Sequence, residues 1–546
     1  MSPILAAEIP QGGLSFLDYL VIGSYLSGML VMGFSIAKKQ QSTDDFFVGG
    51  RSLPPWAVGI SLFASLLSTI TFLGMPGEMF RTGVAFLTRQ LPVPLVLAVI
   101  WFLWIPFFMR LNLTSAYEYL EKRFNYSVRA FSAIFCLMLL FGWISVVVLT
   151  ASMAMIQIVN LKLGWYPDAE MHLIIFSVGM FSILYTTLGG IRAVIWTDVI
   201  QFFVLMIGAL FTMGAIAYMT NSGIGDWIEY SQKYKHEKVE WFDFDIRNRS
   251  TVFSISIGMF FWFVCTHGAN QVALQRYFTV KDVRSARRSY LVSAVASIGI
   301  GIILAGVGIS LMYFIQDHDL PAKANLFSSI IEDRNEAQDF IFPQFISIYL
   351  PAGLRGMVVS ALFAAAMSTI DSGANSASTI VTVDFFRRWS KTAVSEQHEL
   401  RRARILTACT GIIVVAYTIG LYHLSKGTDI ITLCQKGFNC FLGPLGAVFV
   451  LAMFSKRATG KSVLPALFIG EVFGVCGSYS EELFNFSFST HLVIAGSWLT
   501  TILAAHALSI LLNTNATEEQ QQLMWLPVVR SKEITANSGP AESDEG

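Results

Sequence analysis

An aspartate stands in a row of hydroxyls in the stretch AAAMSTIDSGANSAST, Ala364–Thr379. Hydroxyl and carboxylate oxygens are hard donors and suit hard cations. At about 100° per residue on a helix, Ala361, Ala365, Ser368, Ser372, Asn375, Ser376 and Thr379 share one face. Thr369 and Asp371 flank that stripe, while Phe363, Met367, Ile370, Ala377 and Val381 lie opposite. Two readings stand side by side. Small residues with hydroxyls let apolar helices pack closely. A carboxylate inside an apolar run marks an ion or solute path.

Other polar residues interrupt apolar runs. Asp198, in GGIRAVIWTDVIQFF, is either an interfacial partner or cap beside Arg192 or part of a cation site. Ser61, Ser65, Ser68, Thr69 and Thr71 punctuate WAVGISLFASLLSTITFLGMPGEMF. Transporter sites form where a span unwinds and offers carbonyls, although neither Gly nor Pro marks a break within Ser65–Thr71. Arg89 and Gln90 in TRQLPVP are read either as an interface-seeking arginine with its neighbour or as a polar pair for an anion or a sugar. His267 shares a segment with Asn270 and Gln271, and Glu78 and Glu471 are placed near interfaces. No nucleophile–base pair and no zinc spacing appear, so an enzyme is not expected. The cysteines (Cys136, Cys265, Cys409, Cys434, Cys440 and Cys476) read as small buried hydrophobes.

The elements that must position these groups follow from composition. Of 546 residues, 54% are hydrophobic and 14% charged, against about 25% charged in soluble domains. Continuous apolar runs of about 20 residues match a hydrocarbon core of ~30 Å, and their lack of alternation excludes a β-barrel. The chain is therefore an all-α polytopic membrane protein. Zero net charge argues against nucleic acid, leaving the lipid bilayer as the surrounding partner. Thirteen spans are expected, at 15–37, 55–80, 84–109, 130–158, 171–189, 193–219, 252–272, 289–315, 354–384, 404–423, 429–454, 462–478 and 490–512. Lys and Arg collect in alternate loops, around Lys38–Arg51, Arg110–Arg129, Arg192, Arg276–Arg288, Arg387–Arg404 and Lys456–Lys461. By the positive-inside rule the N-terminus lies outside and the C-terminus in the cytoplasm, which agrees with an odd span count. The start, MSPILAAEIPQGG, lacks the basic region of a cleaved signal.

The expected division is 1–54 (outer N-terminus, extra helix and linker), 55–219 (five helices), 220–251 (extracellular loop), 252–454 (five helices), 455–512 (two helices) and 513–546 (disordered cytoplasmic tail). An odd number of spans per block makes the two five-helix blocks an inverted repeat.

Several stretches together carry a family resemblance: TDDFFVGGRSLPPWAVGISLFAS, LTSAYEYLEKRF, GGIRAVIWTDVIQ, NQVALQRYFTVKD, IFPQFISIYLPAGLRGMVVSALFAAAMSTIDSGANSASTIVTVDFFRR and FLGPLGAVFVLAMFSKRA. In this order they resemble the sodium:solute symporters. The resemblance implies the five-plus-five inverted repeat of the leucine-transporter group, preceded by an extra helix. It implies a sodium site from the carbonyls of Ala64, Leu67 and Ala365 and the hydroxyls of Ser368 and Thr369. A second sodium set implied in the same way is Asp198, Ser368, Asp371 and Ser372, with Asp371 in place of a hydroxyl residue. The solute pocket is expected to draw on Thr71, Gln90, Phe263, Thr266 and His267, with Arg89 for an anion. Phe263 and Thr266 depart from the galactose-type pattern. The expected function is sodium-coupled import of a small organic solute by alternating access in the plasma (inner) membrane. A monocarboxylate or other organic anion is the first expectation for that solute. The alternatives are a sugar or sialic acid symporter, and a proton-coupled carrier using Asp371 or Asp198. Sodium is the co-transported ion expected.

Overall fold

The computed structural model describes residues 13–38, 40, 42–159, 163–164, 167–233, 243–247, 251–316, 334–390, 395–424 and 430–531. The described elements are helical. The extra helix is α1 (Phe16–Ala37). The first block holds α2 (Pro55–Leu66), α3 (Thr69–Thr82), α4 (Leu87–Phe108), the short α5 (Glu118–Arg123), α6 (Tyr126–Val159) and α7 (Ala169–Thr220). After α8 (Ile224–Lys233), the second block runs α9 (Val252–Ala269), α10 (Gln271–Phe278), α11 (Val283–Gln316), α12 (Arg334–Tyr349), α13 (Leu354–Ile380), α14 (Glu396–Leu424) and α15 (Ile430–Phe454). Two further helices, α16 (Gly460–Ser478) and α17 (Val493–Leu511), follow.

Among the described residues ten helices are long and apolar enough to cross a membrane, and the bent pair α2–α3 adds an eleventh. Helix α7 counts twice. Its 52 residues would stretch about 78 Å, far beyond a ~30 Å core. Gly190 divides it, with φ 54° and ψ −163°. A Cβ there would lie 2.7 Å from the carbonyl oxygen of Phe46, so both the backbone angle and the close approach require glycine. With α15 added, the thirteen expected spans are accounted for.

The first helix of each block is interrupted. The pair α2–α3 breaks at Leu67–Ser68 with a 66° bend. The span holding α9 and α10 breaks at Asn270, whose φ −83° and ψ 124° are extended. Two discontinuous helices at matching positions are the mark of an inverted-repeat carrier. The break in α2–α3 contains no glycine or proline, and packing rather than local propensity sets it.

Helix α13 runs through the centre. In its most apolar window 89% of residues are buried, against 17% in α1. The face opposite its polar stripe is enclosed too, with Met367, Ile370 and Ala377 buried. On α1, Phe16, Tyr19, Leu20 and Val31 stay exposed, as a lipid-facing helix requires.

Close contacts fix α2 against α11. A Cβ on Gly59 would overlap the Ser289 carbonyl and approach Val292 Cβ to 2.7 Å. Gly59→Ala is therefore expected to destabilise the folded chain by about 1–3 kcal/mol, the usual cost of overpacking. A lowered melting temperature in detergent checks this.

Three expectations need correction. The segment after Asn513 is not structureless throughout: 518–522 and 525–530 are helical. Trp525 Nε1 donates to the Leu103 carbonyl at 2.9 Å, Tyr119 Oη donates to the Leu523 carbonyl at 3.1 Å, and Val528 is buried. Apolar side chains in QQLMWLPVV find a docking surface on the membrane helices, so the segment orders. Residues 532–546 lie outside those described. Glu471 sits in the middle of α16 and is buried rather than interfacial, and Glu78 is buried in α3. Cys409 is exposed and Cys476 half-buried, whereas Cys136, Cys265 and Cys440 are enclosed. The Cys434 side chain lies outside those described.

Candidate functional site

The break in α2–α3 meets the middle of α13. Where a helix stops, its last carbonyls lose their intrahelical partners. Ser368 Oγ donates to the Ala64 carbonyl at 3.0 Å and lies 3.1 Å from the Ala365 carbonyl, while Thr369 Oγ1 lies 3.5 Å from the same Ala365 oxygen. Leu67 caps α2 at the break, with φ −83° and ψ 109°. Ser68 is buried beside it with no hydrogen bond to Oγ among the described residues. Backbone and hydroxyl oxygens of two helices thus converge, and such a set suits a hard monovalent cation.

A second group lies on the same helices. Asp198, on the second half of α7, is fully buried. Ser61 Oγ donates to its Oδ2 at 2.5 Å, Ser65 Oγ lies 3.2 Å away, and Arg276 Nη2 pairs with it at 3.3 Å. Arg276, itself fully buried on α10, also donates to Ser61 Oγ at 3.1 Å, to Ser372 Oγ and to the Val272 carbonyl at 2.8 Å. Ser65 and Ser372 hydroxyls are 2.7 Å apart. Four helices are knotted through one ion pair.

Asp371 belongs to a third group. Its carboxylate accepts from Tyr185 Oη and, at 2.7 Å, from Thr186 Oγ1, both on the first half of α7. Gln201 donates to Tyr185 Oη at 3.2 Å. Neighbours in sequence, Asp371 and Ser372 make different hydrogen bonds because successive helical residues are turned by about 100°.

A small, partly open cavity adjoins these groups. Its wall includes Trp143, Trp262, Ser65, Thr266, Asn270 and Thr369. Thr369 therefore borders both the cavity and the oxygen cluster. No charged side chain belongs to the lining among the described residues.

Ion pairs and hydrogen bonds clasp the basic end of the bundle. Arg129 Nε pairs with Asp384 at 2.7 Å, and its Nη1 pairs with Glu121 at 2.7 Å. Ser115 Oγ donates to Asp384 at 2.6 Å. Gln271 accepts from the Ala116 amide at 3.0 Å and donates to the Thr114 carbonyl at 2.9 Å. Burial pushes the Glu121 carboxyl up, but hydrogen bonds from Arg129 and Arg388 outweigh it and hold the group below its ordinary range.

The model of the sodium:solute symporter family matches residues 46–470. The chain belongs to this family. It is accordingly a sodium-coupled symporter of a small solute and not an enzyme. This symporter is 32% identical to the sodium/sialic acid symporter NanT of Aliivibrio fischeri, over 82% of its own length and 85% of that protein. It is 30% identical to the sodium/sialic acid symporter SiaT of Proteus mirabilis, over 92% and 98%. The sodium/glucose cotransporter of Vibrio parahaemolyticus is 26% identical, over 87% and 86%. The solved structure of a Na+-coupled sialic acid symporter in a substrate-bound outward-open state superposes with a TM-score of 0.78 at 26% identity, covering 92% of this chain and 99% of that one. A nucleobase-cation-symport-1 family transporter shares the fold with a TM-score of 0.56 at 11% identity, over 88% of the symporter and 97% of that chain.

Within the symporter, the residues named from sequence separate into groups. Ala64, Ala365, Ser368 and Thr369 come together at the break, and Leu67 terminates the helix there. Asp198 and Ser372 share the Arg276 cluster, while Asp371 bonds to Tyr185 and Thr186. Asp198 does not pair with Arg192, whose Nη2 instead donates to the Gly49 carbonyl at 2.9 Å. Of the expected solute residues, Thr266 lines the cavity. Thr71 is half-buried on α3 outside that lining. Phe263 packs edge-on against Trp262, with ring centroids 4.8 Å apart. His267 Nδ1 is 2.8 Å from Tyr277 Oη and its ring meets Tyr290, so the imidazole is engaged away from the cavity wall. Arg89 is half-buried within electrostatic reach of Glu78, and Gln90 lies against Gly301 of α11.

Sequence reasoning passed over Arg276, Arg129, Tyr185, Trp143 and Trp262. Both arginines were counted among loop charges, yet Arg276 is 0% and Arg129 7% exposed. The available signal was a carboxylate in each neighbouring apolar run, since a buried Asp requires a cationic or hydrogen-bonding partner.

Proposed function

We propose that the symporter couples one sodium ion to uptake of a sugar-class solute, sialic acid included. Ala64, Leu67, Ala365, Ser368 and Thr369 hold the ion, and the Trp143–Trp262 cavity holds the solute. The observation that carries the solute reading is the cavity wall: two indoles, hydroxyls and an amide. Sugar rings present apolar faces to indoles and hydroxyls to Ser, Thr and Asn. The relatives named for sialic acid and glucose support a sugar-type solute over the monocarboxylate first expected.

Asp198, Asp371 and Ser372 are not assigned to a second sodium. Arg276 already answers the charge of Asp198, and Asp371 is bonded to a different helix half. In the proposed cycle, sodium at the α2–α13 contact favours the conformation in which the cavity binds solute. Thr369, bordering both, carries the coupling, and by linkage solute tightens sodium binding equally. With the N-terminus outside and the C-terminus in the cytoplasm of a plasma (inner) membrane, the sodium gradient drives import.

Uptake into proteoliposomes tests this, with labelled hexoses, sialic acid and pyruvate, each with and without a sodium gradient. Sialic acid or a hexose is expected to accumulate only with sodium, with a Hill slope near one. Accumulation of pyruvate in place of both would reject the sugar reading. Sodium-independent uptake would reject the ion site.

A further inference from the structure

At the end of the bundle opposite the Arg129 clasp, the first turn of α7 meets the last turn of α14. There His172 and His423 bring their Nε2 atoms to 3.1 Å. The rings are 5.3 Å apart between centroids and tilted by 59°. His423 is exposed and His172 half-buried, so the pair is reachable from outside the bundle. The Tyr422 ring stands edge-on to His172 at 6.2 Å. Its hydroxyl donates to Asp168 Oδ1 at 3.0 Å. The Asp168 carbonyl accepts the His172 amide at 3.1 Å, which starts the helix at this junction. Two imidazoles meet at one helix-helix junction.

Two neutral imidazoles meeting through Nε2 satisfy each other only when one carries the proton and the other does not. A transition-metal ion satisfies both lone pairs at once. Zinc binds imidazole nitrogen at about 2.0–2.1 Å, and tetrahedral geometry then sets two such nitrogens roughly 3.3 Å apart. The 3.1 Å separation needs only a small opening to reach that value. Nitrogen donors of this type select zinc, copper and nickel over magnesium or calcium.

We propose that His172 and His423 form a binding site for a divalent transition-metal ion of the zinc class. Water completes its shell. The ion staples the start of α7 to the end of α14. The site is independent of the sodium ligands and of the solute cavity, so it stands or falls separately from the proposed function.

Tag-free protein in detergent is titrated with Zn2+ or Ni2+, with Mg2+ as control. One ion per chain is expected, with a rise in melting temperature that saturates at one equivalent, and Mg2+ without effect. Co2+ loading is expected to give visible ligand-field absorption. Each of His172→Gln and His423→Gln should weaken Zn2+ binding at least tenfold, while sodium-dependent uptake in metal-free buffer stays unchanged. His423→Cys should restore Zn2+ binding, because a thiolate also ligates zinc. Absence of Zn2+ binding by the unaltered chain would overturn the proposal. Binding of undiminished strength in both Gln variants would overturn it too.

Discussion

Arg276→Ala is expected to abolish sodium-driven uptake and to lower the melting temperature more than any other single change considered. The guanidinium is fully buried and reaches Asp198, Ser61, Ser372 and the Val272 carbonyl at once. Removing it leaves the Asp198 carboxylate enclosed without a cation. Breaking a buried ion pair on one side costs about 3–5 kcal/mol, a large share of the ~5–15 kcal/mol that holds a typical folded domain. The loss also removes one of the links between α2 and α13, since Ser61 and Ser372 are joined through this arginine. The double variant Arg276→Gln with Asp198→Asn should melt higher than Arg276→Ala alone, because it removes both charges and keeps polar partners for the serines. A wild-type melting curve for Arg276→Ala would reject this account, as would a double variant no more stable than the single one.

The second large effect falls on sodium. Ser368→Ala combined with Thr369→Ala removes both hydroxyl ligands of the proposed ion and leaves the carbonyls of Ala64, Leu67 and Ala365. The apparent sodium affinity measured from uptake should fall at least tenfold, equivalent to about 1.4 kcal/mol. Both side chains are small and packed among small neighbours, so the variant should still reach the membrane and melt near the parent. Thr369 also borders the cavity, and its single replacement should weaken solute binding as well. Ser368, absent from the cavity wall, should affect sodium first. Unchanged sodium dependence in the double variant would remove these residues from the ion site.

Much of this was legible before the fold was known. The row of hydroxyls on α13 and the two intramembrane aspartates stood out against apolar surroundings, and the spans followed from run length. The break at Leu67–Ser68 was not legible, because no glycine or proline marks it; the cross-helix bond from Ser368 to the Ala64 carbonyl helps define it. Nor was the division between Asp371 and Ser372. The helical wheel placed Asp371 beside the stripe, and only the packing of α7 shows that Tyr185 and Thr186 take it up. The Arg129 and Arg276 side chains were misread because loop charge and buried charge look alike in a residue count.

The sequence by itself determined the membrane architecture and the chemistry in stock. Crossing a bilayer is a local property of length and hydropathy, and hard oxygen donors remain hard donors wherever they are placed. Tertiary structure alone decided which donors act together. Ser368 and Ala64 are separated by 304 residues, Arg276 and Asp198 by 78, and His172 and His423 by 251. No spacing rule spans such distances. Helix packing makes these contacts, bringing buried polar groups together where each must find a partner out of reach of water.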